Sequence, residues 1–228
     1  MLMRFVPLAA ALLSLLLGAC ATPTEMAFSP EAKGPVTVSK PVYLMTLTVK
    51  NVYHTSHQPK VTVMYVERPE AKEKAERLNF KTDKASREET DTSEGSTYYI
   101  RMELDGSQWV LRGFSAISSS FPIHGFFFGP LHYDLPVREP GVYYLGHVDA
   151  TVREREGEEF RAGPLLPLVD QAIAGASGGS FDITVSDRWA IDESVFRTRF
   201  PAMAELPVTV AVLPPFDRAK AQKFWESH

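Results

Sequence analysis

Residues 97–116 read TYYIRMELDGSQWVLRGFSA, and this stretch sets the expectation for the whole fold. Apolar and polar residues alternate on both sides of Asp105-Gly106, which is the pattern of half-buried β-strands. An Asp-Gly pair tolerates the positive φ angles of a tight two-residue turn. The stretch therefore predicts a β-hairpin. The apolar positions of its two strands are Ile100, Met102, Leu104, Trp109 and Leu111.

The same alternation recurs along much of the chain, with turn residues between the segments. Strands that follow one another without intervening helices favour a mainly β fold, here an antiparallel β-sandwich of the immunoglobulin or transthyretin type. We expect one or two short helices beside it, near residues 190–199 with Asp192 as the cap, and at the C-terminus over 216–226. The further predicted strand faces are Tyr43, Met45, Leu47 and Val49; Val61, Val63 and Tyr65; and Val142, Tyr144, Val148, Ala150 and Val152.

The first nineteen residues have a different character from the rest. One basic residue, Arg4, precedes an apolar run that is shorter than the roughly 20 residues of a membrane span. This is the layout of a secretory signal peptide. The residues that follow, LGAC at 17–20, resemble the lipobox of bacterial lipoproteins. The resemblance implies cleavage before Cys20, acylation of its thiol and amine, and attachment to a membrane through these acyl chains.

The lipobox resemblance also implies a location. In such lipoproteins an Asp after the cysteine often marks retention at the inner membrane, and here that position is Ala21. We therefore expect an outer-membrane lipoprotein whose folded part lies in the periplasm. The absence of any further cysteine suits an oxidising compartment.

Composition divides the remaining chain into a tether and one domain. Residues 20–35 contain three prolines and no strand or helix period, so we expect an acylated N-terminus and a flexible tether there. Residues 36–228 are expected to form a single β-sandwich domain with a charged insertion at 68–95. In this insertion Glu70–Lys74 and Glu73–Arg77 are i,i+4 pairs, which predict a short helix.

Overall charge excludes one class of partner. Asp and Glu number 28 against 24 Lys and Arg, for a net charge of −4. Nucleic-acid binding requires clustered basic residues, so we expect no nucleic-acid partner. The sequence contains no phosphate-binding loop or dinucleotide-binding fingerprint, and we expect no cofactor.

Histidines are the first candidates for chemistry. His54 and His57 are spaced H-x-x-H beside a turn, whereas His124 and His132 are scattered through aromatic sequence. Zinc ligands on a helix usually stand at i and i+4, so a metal site would need several of these residues to converge. We predict no metal site. The four histidines remain candidates for a ligand or partner surface.

Two further motifs could carry chemistry. Ser177 lies in a literal G-x-S-x-G, but a helix-like segment precedes it and a strand follows, the reverse of a nucleophile elbow. A turn is the simpler interpretation. Asp187, Asp192 and Glu193 could suggest calcium, but the gly-rich loop of oxygen ligands is missing, and helix capping accounts for them.

The stretch FPIHGFFFGPLHYDLP, residues 121–136, has the most unusual composition. Phe126, Phe127 and Phe128 cannot all face one core if the segment is extended, because successive side chains alternate. Either a second layer covers the other face or aromatic surface is exposed. Exposed aromatic surface would be a ligand or partner site.

Three later segments resemble uncharacterised proteobacterial envelope lipoproteins with a β-sandwich domain. They are residues 140–152, PGVYYLGHVDATV; residues 181–187, FDITVSD; and residues 196–203, FRTRFPAM. The resemblance implies an envelope location and no established activity. We expect a non-enzymatic binding or scaffolding module with an envelope protein partner. The alternatives are a lipid-anchored hydrolase or metal-binding protein, and capture of a small apolar ligand by an open aromatic cleft.

Overall fold

The computed structural model describes residues 22–32, 34, 36–88, 95–120, 122–164 and 169–227. Within these residues, no helix has the length and apolar character that crossing a bilayer requires. The strands are β1 (Thr22–Thr24), β2 (Pro41–Asn51), β3 (Lys60–Glu67), β4 (Arg77–Lys81), β5 (Arg87–Glu88), β6 (Ser96–Glu103), β7 (Trp109–Ser120), β8 (Ile123–Leu135), β9 (Gly141–Glu154), β10 (Gly179–Ser186) and β11 (Val208–Val210). The α-helices are α1 (Val169–Ile173), α2 (Trp189–Arg199) and α3 (Arg218–Glu226).

These strands form two packed sheets, so the mainly β sandwich is confirmed. Sheet A has the order β1-β4-β3-β7-β8, and sheet B has the order β10-β9-β2-β6-β5, with β11 beside β9. Most pairs are antiparallel, but the central pair β2–β9 is parallel. Helices α2 and α3 confirm the two that the sequence predicts.

The hairpin predicted over residues 97–116 is wrong. Strand β6 pairs with β2 in sheet B, whereas β7 pairs with β3 and β8 in sheet A. The turn is held by Asp105, whose Oδ1 accepts hydrogen bonds from the Ser107 N–H at 3.1 Å and from the Trp109 indole at 3.0 Å. The stretch therefore carries the chain from one sheet to the other, and its two apolar faces meet across the core.

The main core lies between the sheets and contains the predicted faces of β2, β6 and β7. In β9 the prediction of one continuous face fails, because Leu44 pairs with Tyr144 while Thr46 pairs with His147. The extra residue is a β-bulge, and Gly146 adopts a φ of +106° there. A similar register shift in β3 turns Val63 and Tyr65 outward.

A second core covers the outer face of sheet B. Helix α2 packs Phe196 against this face, and Phe200 and Met203 follow it in the chain. Central strands of sheet B are thus buried on both faces, as is usual for strands in parallel pairs. The buried sheet residues of this cluster are Val42, Leu44, Tyr99, Val142 and Tyr144.

The charged insertion contributes two short strands, β4 and β5, to the sheets. No α-helix forms at the i,i+4 pairs. Lys74–Glu76 is a single 3-10 turn that leads into β4, and β4 pairs with β3 while burying Phe80 in the core. Strand β5 adds a short edge to β6. Residues 89–94 of the insertion lie outside the described residues.

Part of the segment expected to be a flexible tether, residues 20–35, is instead attached to the sandwich. Strand β1 pairs in parallel with β4, and Met26 is buried in the core.

Candidate functional site

Helix α3 closes one open side of the sandwich, where β8 and β10 are the sheet edges. The Arg218 guanidinium donates to Asp182 Oδ1 of β10 at 2.6 Å, and Lys220 Nζ lies 2.9 Å from Asp134 Oδ2 of β8. Gln222 Oε1 accepts the Phe160 N–H at 2.6 Å. The helix is therefore anchored to both sheets and shields their edges.

A groove runs between α3 and the outer face of sheet A, and we call it the aromatic groove. Its two adjoining halves share Phe128 and Phe224 in their linings and have volumes of about 370 and about 610 Å³. Volumes of roughly 300–1,000 Å³ are usual for ligand pockets. The first half is lined mainly by apolar residues: Phe128, Pro130, Phe160, Arg161, Pro164, Ala221, Phe224 and Trp225.

The second half has charged walls around an aromatic floor. Tyr65 lies on the floor, with its ring centroid 6.1 Å from that of Phe128. Arg112 donates through Nε to Glu67 Oε1 at 2.6 Å, and its guanidinium lies 5.0 Å from the Phe224 ring centroid. The groove thus combines aromatic surface with a partly neutralised charged wall.

The phenylalanine run confirms the alternation and answers the question that the sequence raised. Phe127 is buried in the core, while Phe126 and Phe128 face the other way. Phe128 enters the aromatic groove, and Phe126 is 44% exposed outside it. Both alternatives therefore occur: α3 forms a second layer that partly covers the Phe128 ring, and the Phe126 ring is exposed aromatic surface.

His132 lies beside the aromatic groove. Its ring centroid is 4.2 Å from that of Phe224, and its Nδ1 is 3.4 Å from Arg112 Nη1. The residue is buried and has a φ of +53°, a left-handed conformation that is uncommon for residues other than glycine, although histidine adopts it more often than most. Of the four histidines proposed as a surface, this one supports the groove from behind.

The other three histidines do not line the aromatic groove, and two of them, His54 and His57, lie in the same loop. His54 packs edge-on against Tyr53 in the loop after β2, and His57 donates its N–H to the His54 carbonyl. His124 is exposed at the β7–β8 turn and pairs through Nδ1 with Ser119 Oγ at 2.9 Å. Among the residues that the structure describes, no three His, Cys, Asp or Glu residues are grouped to hold a metal ion.

Ser177 and the three acidic residues have structural roles. Ser177 lies in the turn between α1 and β10, where its N–H donates to the Gln171 carbonyl. The predicted capping by Asp192 is wrong, because Arg188 is the N-cap of α2 and Asp192 lies in its first turn. Asp187, one residue before the cap, accepts the Trp189 N–H at 3.0 Å. Glu193 pairs with Arg197 along the helix.

Asp192 instead reaches from α2 into the outer face of sheet B. Its Oδ2 accepts the Tyr144 hydroxyl at 2.6 Å and lies 3.3 Å from His147 Nδ1, while His147 Nε2 is 2.9 Å from Thr48 Oγ1. The order hydroxyl, imidazole, carboxylate is that of a nucleophilic triad. The imidazole is only 5% exposed, however, and Arg188 and Asp149 lie on its Nε2 side. The cluster therefore docks α2 onto the sheet.

The cluster makes stability depend on pH in a defined direction. Burial disfavours a charged imidazole, but hydrogen bonds and attraction from Asp149 and Asp192 outweigh it and raise the pKa of His147 above 6.5. Burial also opposes ionisation of Asp192, yet its hydrogen bonds from His147 and Tyr144 hold its pKa below 3.8. The His147 contribution is lost as pH rises through its raised pKa, and the Asp192 contribution as pH falls through its lowered one.

We therefore expect this cluster to stabilise the fold most between about pH 4 and 6.5, with a decline on the alkaline side that His147→Gln flattens. Urea unfolding of wild type and variant at about pH 6 and about pH 9 measures the effect. His124→Gln, at the exposed turn, is the matched control and should keep the wild-type slope. An unchanged alkaline decline in His147→Gln would contradict the assignment.

Several residues of the aromatic groove were not singled out from the sequence. The aromatic pair Phe224-Trp225 near the C-terminus was a signal, because it lies on a short helix that is otherwise polar. No local sequence pattern indicated that Tyr65 of β3 or Arg112 of β7 would line a groove, because the fold brings these two strands together. Cys20, the predicted lipid site, lies outside the described residues.

Comparisons with known proteins leave the function open. No family model matches the chain, and no curated protein matches it. A crystal structure of a candidate cell adhesion protein from Bacteroides eggerthii is similar over 64% of this chain, with 11% identity and a TM-score of 0.25. This chain covers 54% of the length of that protein. So low a score carries no functional argument, and the function is argued from the groove.

Proposed function

We propose that this chain is a lipid-anchored protein of the bacterial cell envelope that binds another envelope component without catalysing a reaction. The anchor is argued from the signal-peptide layout of residues 1–19 and from LGAC at 17–20. The binding role is argued from the aromatic groove. His54 and His57 lie together in the loop after β2, whereas His124 and His132 lie towards opposite ends of β8, so the four histidines do not converge. This dispersal favours binding over the hydrolase alternative.

The aromatic groove is the observation that carries the binding role. Ligand sites are commonly concave, mostly apolar and equipped with a few polar groups that set orientation. Phe128, Phe224 and Trp225 supply the apolar surface, and Arg112 and Glu67 supply the polar groups. The occupant that fits is an apolar alkyl or aromatic group attached to a polar end, as in an amphiphilic envelope component.

Location follows from the anchor. Because Ala21 follows Cys20, the lipobox resemblance favours the outer membrane, with the folded domain in the periplasm. Two or more acyl chains anchor a protein stably, because each buried CH₂ contributes about 0.8 kcal/mol. The acyl chains on Cys20 are then the membrane partner, and the aromatic groove is available to a second one.

The anchor is tested by mass spectrometry of the N-terminal peptide from the natively expressed protein. The expected result is a peptide that begins at Cys20 and carries a diacylglyceryl group and an amide-linked acyl chain. Cys20→Ala is the control and should release the chain from the membrane fraction. An unmodified thiol at Cys20 in the mature protein would overturn the anchor.

For the groove, we expect Phe224→Ser to weaken binding of the apolar fluorescent probe 1-N-phenylnaphthylamine by about tenfold, since a buried phenylalanine contact contributes roughly 1.5–3 kcal/mol. Fluorescence titration measures the dissociation constant. Phe126→Ser is the matched control, because Phe126 is exposed and lies outside the groove.

The two serine variants also separate folding from binding. Thermal unfolding is recorded for each, and only folded variants are compared. Equal probe affinity for wild type and Phe224→Ser, with both folded, would contradict the groove as the binding site. Loss of affinity in Phe126→Ser alone would move the site to the exposed end of β8.

A further inference from the structure

The chain enters the fold almost immediately after the predicted lipid site. Strand β1 pairs in parallel with β4 in the register Thr22↔Leu78 and Thr24↔Phe80. The Thr22 hydroxyl also donates to the Lys74 carbonyl at 3.3 Å. The first described residues thus belong to the edge of sheet A.

A second attachment follows a few residues later. The Ala27 N–H donates to the Arg101 carbonyl at 2.9 Å, and the Arg101 Nε donates back to the Ala27 carbonyl at 2.6 Å. Arg101 is fully buried, and Met26 is buried beside it. Residues 22–27 are therefore held by backbone pairing, by a buried guanidinium and by core packing.

Covalent geometry converts this attachment into a distance limit. Consecutive Cα atoms are about 3.8 Å apart, so Thr22 lies within roughly 8 Å of Cys20 whatever conformation Ala21 adopts. A free tether over residues 20–35 would instead reach on the order of 50 Å. The two arrangements place the domain at very different distances from an acylated Cys20.

We propose that the surface around Thr22, formed by residues 72–77 before and at the start of β4, lies against the lipid headgroups of the membrane. This inference rests on the proposed acylation of Cys20. Acyl chains in the bilayer hold Cys20 at the headgroup level, and β1 then holds the adjoining edge of sheet A there. The domain has one defined orientation instead of swinging on a tether.

The chemistry of this surface is compatible with a headgroup layer. Lys72 and Lys74 are exposed and can pair with lipid phosphates, because an anionic surface attracts basic side chains. Glu73 is exposed among them, so the surface is of mixed charge. The covalent anchor, more than charge, therefore sets the orientation. Lys72 also lines the aromatic groove, so one end of the groove opens near the bilayer.

A control position should lie in sheet A as far as possible from Thr22. Across the sheet, Thr22 pairs with Leu78, Leu78 with Val66, Val66 with Leu111 of β7, and Leu111 with Tyr133 of β8. Thr22 and Tyr133 are therefore at the same level of the sheet. His124 lies nine residues from Tyr133 on the far edge strand. Four strand spacings and this length place His124 roughly 35 Å from Thr22.

The test uses the full lipidated protein, purified from membranes and reconstituted into phospholipid vesicles. Acylation consumes the thiol of the only cysteine, so Lys74→Cys and His124→Cys each add the single free thiol. Each is labelled with a thiol-reactive fluorophore, and quenching by a lipid with a nitroxide headgroup is measured. We expect several-fold stronger quenching at position 74 than at position 124.

A third variant tests whether the orientation comes from the short connection between Cys20 and β1 or from an affinity of the 72–77 surface for lipid. An insertion of about ten Gly and Ser residues between Ala21 and Thr22 restores a flexible tether and should abolish the difference between the two labels. Equal quenching at both positions without the insertion would overturn the orientation, as would strong quenching at position 74 that survives the insertion. Mass spectrometry of the same samples distinguishes these outcomes from failure of the anchor, which appears as an unacylated Cys20.

Discussion

Arg101→Met is expected to lower the free energy of unfolding by about 4 kcal/mol, the largest effect that we expect of a single substitution in this protein. The Arg101 side chain is fully buried, and its Nη2 donates to Asp83 Oδ2 at 2.6 Å. Its other nitrogens donate to the Ala27 and Tyr99 carbonyls, and its guanidinium stacks 3.8 Å from the Phe200 ring centroid.

The size of the effect follows from what the substitution leaves behind. Methionine fills much of the volume but offers no donors, so the Ala27 and Tyr99 carbonyls lose their hydrogen bonds in a buried site, at about 1–3 kcal/mol for each unsatisfied group. The side-chain links from Arg101 to Ala27 and to the Asp83–Ser86 turn are lost together, while the backbone bond from the Ala27 N–H to the residue 101 carbonyl remains. Urea unfolding measures the free energy, and limited proteolysis measures release of residues 22–32.

Asp83→Asn is the matched control for Arg101→Met. The Asp83 side chain is 40% exposed, so water can replace part of its contact with the guanidinium. An asparagine oxygen can still accept from the Ser86 N–H. We expect a loss of about 2 kcal/mol, because the buried Arg101 charge loses its carboxylate while asparagine and water still offer acceptors. An equal loss in both variants would mean that the ion pair, and not the buried hydrogen bonds, holds this region.

Asn51→Ala is expected to lower the free energy of unfolding by about 3 kcal/mol. The Asn51 side chain is fully buried at the end of β2 and uses all of its hydrogen-bonding groups. Its Nδ2 donates to the His57 carbonyl at 2.9 Å and to the Ala174 carbonyl at 3.1 Å. Its Oδ1 accepts the N–H groups of Tyr53 and His54. One amide thus closes the loop after β2 and joins it to the turn after α1.

Asn51→Asp tests whether the two donors matter apart from the shape. A carboxylate keeps both acceptor bonds but turns an acceptor towards the His57 and Ala174 carbonyls. We expect a loss at least as large as that of Asn51→Ala at neutral pH, with partial recovery at low pH where a protonated carboxyl can donate. Urea unfolding at both pH values measures this. Wild-type stability of Asn51→Asp at neutral pH would contradict the role of the donors.

The candidate site could be predicted only in part. Phe128 was identified because three consecutive phenylalanines cannot share one face of a strand. His132 was named as part of the same unusual stretch. Tyr65, Arg112 and Phe224 lie on three other elements, and no local pattern relates them. Their meeting depends on strand order and on where α3 docks.

Burial of Arg101 shows the same limit. Alternation in β6 places Ile100 and Met102 in the core and predicts that Arg101 faces outward, which is correct for the sheet. Whether the outer face of the sheet is exposed to solvent depends on which other segments pack against it. Here residues 26–27, Ser86 and Phe200 cover it, and all come from distant parts of the chain.

By itself, the sequence determined the long alternating strands, the mainly β class and the two helices near its end, because alternation and helix periods are local properties of the backbone. It did not predict the short strands β1, β4 and β5, which lie in the expected tether and charged insertion. It did not determine which strands pair. The turn at Asp105-Gly106 looks the same whether the strands beside it form a hairpin or enter two sheets. Only the tertiary structure decided this, because pairing depends on the apolar surface that strands distant in sequence bury together.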